Sequence, residues 1–351
     1  MIYIVLAIFI FAVLIVTHEL GHFVAAKLFH VRVSQFAIGM GPALLKKQKG
    51  ETLYALRAFP IGGFCAMEED EESEDPHAFT NQKWWKRFII LAAGALMNFL
   101  TGIIILLFIV PNSGAYASPT LTGFYEGCPY ENAEGLQTGD TFYEIDGQRV
   151  LLSSDISLLL NRTTSETRDF VIIRDGEKLE LNDYEFVKVP YEIKGEETLM
   201  YGIEYGVKET GVVANLKYTW FGALDFVRMV WMGLGDLVTG AVGLKELSGP
   251  VGIVALFSDV GNSAGSASAA ASTFAYLAAF IAVNLAVMNL LPIPALDGGR
   301  LVFLLLTAAV ERISRKKLNP KYEGYVHAAG FALLMLLMVV VMFSDVYKLI
   351  A

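Results

Sequence analysis

The 351-residue chain has only two cysteines, Cys65 and Cys128, at distant places. Neither a disulfide framework nor a cysteine-built zinc site is therefore supported. Charge is also scarce. Asp, Glu, Lys and Arg make up 18% of the chain, and acidic residues outnumber basic ones 36 to 27, for a formal net charge of −9. Such a balance does not suit nucleic acid as a partner. The apolar N-terminal stretch lacks the basic segment that opens a secretory signal, so it is expected to be retained. No inverted repeat of apolar segments is evident, unlike many transporters. What the chain has in excess is hydrophobicity: 54% hydrophobic residues and a mean hydropathy of +0.50. That exceeds an ordinary soluble protein and fits several membrane spans with one soluble domain.

Four segments are long and apolar enough to cross a bilayer: residues 2–26, 88–110, 273–291 and 326–343. Lysine and arginine crowd the first and third connections, for example Lys46, Lys47, Lys49, Lys86 and Arg87, then Arg300, Arg312, Arg315, Lys316 and Lys317. Positive charge marks the cytoplasmic side, so both termini and the second connection are expected outside. Trp84 and Trp85 read as an interfacial anchor for the second span.

The first span carries His18-Glu19-Leu20-Gly21-His22. Four residues apart on a helix, the two imidazoles share a face and can grip one Zn²⁺. Glu19 sits where a carboxylate can take a proton from water. Polar groups at that depth are costly and usually functional. Two ligands leave a catalytic zinc short of its usual third. Asp297, closing the third span within Asn289-Leu290-Leu291-Pro292-Ile293-Pro294-Ala295-Leu296-Asp297-Gly298-Gly299, is the candidate. The charge rule puts it on the same, cytoplasmic side as His18 and His22. His77, after the acidic run Glu68–Asp75, reads as a surface histidine rather than a further ligand.

These two motifs together resemble the site-2 protease family of intramembrane zinc metalloproteases. Ser248-Gly249-Pro250-Val251-Gly252-Ile253 and Gly94-Ala95-Leu96-Met97-Asn98 add to the likeness, although the family usually has Gly-Pro where this chain has Gly94-Ala95. The resemblance implies regulated intramembrane proteolysis. Zn²⁺ would be held by His18, His22 and Asp297, with Glu19 as the base. The substrate would be a single-span membrane protein, such as a pre-trimmed anti-sigma factor or a signal-peptide remnant. It also implies that Asn289 contacts substrate. Asn284 and Asn98 read either as substrate contacts or as helix–helix hydrogen-bonding residues.

Residues 31–67 read as short strands around a turn at 46–50. In similar proteases this β-element dips into the membrane beside the zinc. An edge at 52–59, including Thr52, Leu53 and Tyr54, is expected to hold the substrate as an added strand.

Residues 113–213 turn polar and strand-like, and Ala133 through Val150, with the turns Gly139-Asp140 and Asp146-Gly147, resembles a PDZ domain. It would serve as a size filter or docking platform, or as a plain folded cap. Within 214–260, the aromatic stretch 218–244 carries Asp225, Arg228 and Asp236, and reads as an interfacial helix rather than a fifth span. Residues 261–351 make the second membrane half, with Leu296-Asp297-Gly298 in it.

The expected architecture is thus a polytopic α-helical membrane protein with four spans, a membrane-associated β-element and one inserted extracytoplasmic PDZ-like domain. The rival reading is a membrane-anchored PDZ scaffold with a vestigial metal site. The oligomeric state is not legible.

Overall fold

A computed structural model describes residues 2–67, 74–113, 115–132, 135–162, 165–193, 196–243, 246, 248–314 and 321–350. Most of the acidic run, 68–73, and the basic residues Arg315, Lys316 and Lys317 lie outside the described residues. The chain divides into two compact units, residues 107–225 and the remainder.

The first unit opens with α1 (Ile2–Leu28), which is apolar all round apart from the histidine cluster and ends where His30 takes a left-handed φ of 60°. Then come β1 (Val33–Lys49), β2 (Thr52–Met67) and α2 (Trp84–Ile109). Four helices among the described residues are long and apolar enough to cross a membrane: α1, α2, and two introduced below, Ala267–Leu290 and, over Glu323–Lys348, the last helix. The chain is a multi-pass membrane protein.

The two long strands fold into four segments. Residues 35–38 pair with 63–66 in the antiparallel sense. On their other side the same residues meet 53–56, where the partner numbers rise together (Gln35 with Leu53, Ile38 with Leu56), so this contact runs parallel. Residues 45–49 pair antiparallel with 52–56. The sheet order is therefore 43–49, 52–57, 35–38, 63–67. This corrects the expectation for Thr52, Leu53 and Tyr54. They lie on an inner strand whose backbone is paired on both sides, and Thr52 is 1% exposed with its hydroxyl donating to the Val33 carbonyl. The edges of this sheet are 43–49 and 63–67.

The second unit holds β3 (Ala115–Phe124), β4 (Thr141–Ile145), β5 (Gln148–Arg149), α3 (Ser153–Leu160), β6 (Thr167–Arg174), β7 (Glu177–Glu185), β8 (Val189–Ile193), β9 (Glu196–Met200) and β10 (Ile203–Glu209). The main sheet runs β10-β3-β4-β6-β7 with β5 on β4, and β8–β9 form a separate hairpin. Asp146-Gly147 and Asp175-Gly176 have φ between 48° and 86°, as two-residue hairpin turns of this composition require. Phe142, Phe170, Phe186, Ile145 and Leu121 fill the core.

One ion pair in this core is fully committed. Arg174 grips Asp140 with two bonds of 2.8 Å, and Asp140 also accepts from the Gln137 backbone N–H. The Asp140 side chain is wholly buried. Arg174→Leu would strand a buried carboxylate and is expected to cost this unit about 3–5 kcal/mol. Proteolysis of full-length protein across a urea series, read at sites within 107–225, measures it.

The chain returns through α4 (Val212–Thr239), α5 (Pro250–Ser263), α6 (Ala267–Leu290), α7 (Asp297–Ser314) and α8 (Lys321–Ile350). Ser266 caps α6 by accepting from Ala269 N–H. α5 begins at Pro250, inside the Ser-Gly-Pro-Val-Gly-Ile stretch. Its N-terminus is capped from afar, because buried Asp345 of α8 accepts from the N–H groups of Gly249 and Gly252 at 2.8–3.2 Å. Neither α5 nor α7 is foreseen in the sequence reading. Phe257 of α5 and Phe274 of α6 stack on each other behind α1, against Ala7 and Leu14.

Candidate metal centre

His18 and His22 face one way from α1, as their spacing requires. α2 crosses α1 at two glycines. A Cβ on Gly94 would fall 2.3 Å from His22 Nε2 and 2.7 Å from His18 Cε1, and one on Gly21 would fall 2.3 Å from the Ala93 carbonyl oxygen. Only hydrogen at these positions lets the helices meet through the imidazoles. Asp297 arrives from the other half of the chain as the first residue of α7.

The three ligand atoms converge. His18 Nε2 lies 3.0 Å from Asp297 Oδ2, His22 Nε2 lies 3.2 Å from the same oxygen, and the two nitrogens are 3.2 Å apart. Ligands about 2.0–2.2 Å from one tetrahedral ion stand about 3.3–3.6 Å from each other, so the triangle is a few tenths of an ångström tighter than a zinc site and needs only a small opening to hold the ion. Burial works to raise the Asp297 pKa, but hydrogen bonds with both histidines win and hold the carboxyl well below the usual carboxylate range. Among the described residues this is the one His/Cys/Asp/Glu group arranged to hold an ion.

The outer partners set the tautomers. His22 Nδ1 lies 2.8 Å from the Ile90 carbonyl, to which it donates, leaving Nε2 free as a ligand. His18 Nδ1 has the Asn289 side-chain amide 3.5 Å away. The facing atom is the amide nitrogen Nδ2; when His18 binds an ion through Nε2, Nδ1 carries the proton and the Asn289 amide takes it only once turned to present its oxygen. Asn289 thus borders the ligands.

Glu19 is half-buried beside them. The Gly63 backbone approaches it so closely that a Cβ there would fall 3.3 Å from Glu19 Cγ, and the Cys65 N–H reaches its carboxylate. The 63–67 edge therefore runs past the glutamate. Burial pushes the Cys65 thiol up to about 12, so it stays protonated at neutral pH.

The remaining sequence candidates are placed elsewhere. Asn98, 1% exposed, accepts from the Thr17 hydroxyl in the α1–α2 seam. Asn284 is half-buried on α6, a turn and a half before Asn289. His77 is tied to the His30 carbonyl, away from the ligands. The structure adds Gly94, Gly63 and Cys65 to the site. In sequence, Gly63 signals only a close backbone approach, and Gly94 only the likeness of the Gly94–Asn98 stretch; neither shows what it approaches.

Comparisons with known proteins agree with this geometry. The profile of peptidase family M50 matches residues 6–337. A Clostridium acetobutylicum protein, provisionally named a zinc metalloprotease, is 39% identical over 98% of this chain and 97% of its own. The zinc metalloprotease RasP of Shouchella clausii is 30% identical over 97% of each chain. The Bacillus subtilis protein named regulator of sigma-W protease RasP is 28% identical, again over 97% of each.

Proposed function

From the chain's membership of peptidase family M50, which makes it a membrane zinc metalloprotease, we propose a division of labour among its residues and a way of presenting the substrate. His18, His22 and Asp297 hold the zinc, which when bound supplies the Lewis acid for water and for the scissile carbonyl. Glu19 accepts the proton of the attacking water and passes it to the leaving amine. The observation that carries this is the convergence of three ligand atoms within 3.2 Å, on α1 and α7, with Glu19 alongside.

A peptide bond inside a helix is hidden by its own hydrogen bonds, so the substrate is unwound before it is cut. The 63–67 edge is the place for the extended segment. Its outer side has no strand partner among the described residues, and it passes Glu19. A substrate strand adds at this edge and not along 52–57, whose backbone is paired on both sides. A photo-crosslinking residue at Ala66 is expected to capture substrate on the Glu19→Gln background, and one at Leu53 to capture none. Capture at Leu53 alone would place the substrate along 52–59 instead.

Substrates of this reading are single-span membrane proteins, such as a pre-trimmed anti-sigma factor or a signal-peptide remnant; the Bacillus subtilis relative is named a regulator of sigma-W protease. The basic connections support a cytoplasmic active site, with both termini and the second unit outside. That unit, read as PDZ-like, then stands on the side from which a trimmed substrate approaches.

The test is cleavage of a tagged single-span substrate in liposomes, with zinc content measured in parallel. Wild-type protein with one zinc should cut, chelation should stop it, and zinc should restore it. A well-folded protein holding no zinc would favour the scaffold reading.

A further inference from the structure

Asp297 reaches the histidines only because the loop before it bends in one particular way. Pro292 and Pro294 cannot continue α6. Two backbone bonds knit the loop, Ile293 N–H to the Leu291 carbonyl at 2.7 Å and Leu296 N–H to the Ile293 carbonyl at 3.2 Å. Ala295 sits at φ +78°, a conformation that a residue with a Cβ rarely adopts unless something holds it there.

What holds it comes from α8. The Ala295 N–H donates to Nδ1 of His327 at 2.9 Å. One turn along the same helix, Gly330 abuts Pro294 so tightly that a Cβ would fall 2.3 Å from Pro294 Cβ and 2.8 Å from its carbonyl oxygen. The Phe303 ring of α7 lies 5.5 Å from the imidazole, centre to centre. Glu323 Oε1 stands 3.9 Å from Nε2 and favours a proton on that nitrogen, which keeps Nδ1 an acceptor. The last span thus grips two successive residues of the loop, two and three positions before the metal ligand.

We propose that His327 is a positioning residue for Asp297. Its neutral imidazole, accepting at Nδ1, fixes the left-handed turn at Ala295 and so sets the direction in which α7 begins and its first carboxylate points. It touches neither substrate nor ion. This rests on the zinc-protease reading, since positioning matters only if Asp297 is a ligand.

The role depends on where the acceptor sits on the side chain. Asparagine carries an oxygen near the Nδ1 position, whereas glutamine carries one near Nε2. Full-length protein in detergent would be loaded with zinc and titrated with a chelator. kcat and KM for a single-span substrate would be taken from the same preparations of wild type, His327→Asn, His327→Gln and His327→Phe. His327→Asn should hold zinc within about threefold of wild type. His327→Gln and His327→Phe should hold it about 10–100-fold more weakly, with kcat falling and KM unchanged. The Asn–Gln contrast decides the matter even if His327→Phe does not fold. Equal zinc retention by Asn and Gln, or wild-type retention and kcat in His327→Phe, would overturn the proposal. A wild-type protein that holds no zinc would instead overturn the protease reading, and this inference with it.

Discussion

Glu19→Gln is expected to keep its zinc and lose its cutting. Glutamine has nearly the same shape, so the Cys65 N–H and the close backbone at Gly63 still find a side chain of the right length. His18, His22 and Asp297 are untouched, and metal stoichiometry should stay at one per chain. The missing capacity is a single proton transfer, because an amide cannot take the proton of the attacking water. General-base catalysis is typically worth about 10²–10⁴-fold, and the cleavage rate should fall by at least that much. Substantial cleavage by Glu19→Gln with bound zinc would remove Glu19 from the mechanism, whatever its position.

Gly94→Ala is expected to do the reverse, abolishing metal binding by adding one methyl group. That methyl would fall 2.3 Å from His22 Nε2, the atom needed as ligand. A flexible neighbour could yield, but this one is an imidazole pinned by its other nitrogen to the Ile90 carbonyl. Nor can the helices separate freely, since the neighbouring Gly21 seats against the Ala93 backbone at the same crossing. Zinc content after dialysis should fall close to zero, and cleavage with it. Gly233→Ala is the control. Nothing lies within 4 Å of its would-be Cβ, and alanine is the better helix former, so zinc and activity should be unchanged. Full zinc occupancy in Gly94→Ala would mean that the two helices cross differently from the arrangement described.

The contrast between these variants shows which parts of the site could be read from sequence. His18, Glu19 and His22 are legible because a helix has a fixed period, and their cost in hydrocarbon demands a use. Asp297 is legible once its side of the membrane follows from the flanking lysines and arginines. The spans are legible from composition alone. What fails is pairing between distant segments. The turn at 46–50 is a local signal and is legible, but the parallel contact of 35–38 with 53–56 has no local signal, so an inner strand reads as an edge. The loop after α6 shows two prolines and nothing of the histidine about thirty residues later that shapes it. α7 escapes for another reason. Its basic residues settle the membrane orientation so well that the apolar face with Leu301 and Leu304, buried against Ala25 and Ile90, goes unnoticed.

The cap that Asp345 places on α5 also has a consequence for biosynthesis. Gly249 and Asp345 are 96 residues apart, and His22 and Asp297 are 275 apart. A ribosome adding about 5–20 residues per second needs about 5–20 s to travel from the first cap partner to the second. Through that interval α5 has no acceptor for its leading N–H groups, and the loop bearing Asp297 waits for its clamp from α8. The nascent chain therefore enters the bilayer with its histidines first and its hydrolytic capacity last. A protein that cuts membrane spans is, while its own spans are being threaded, not yet able to cut.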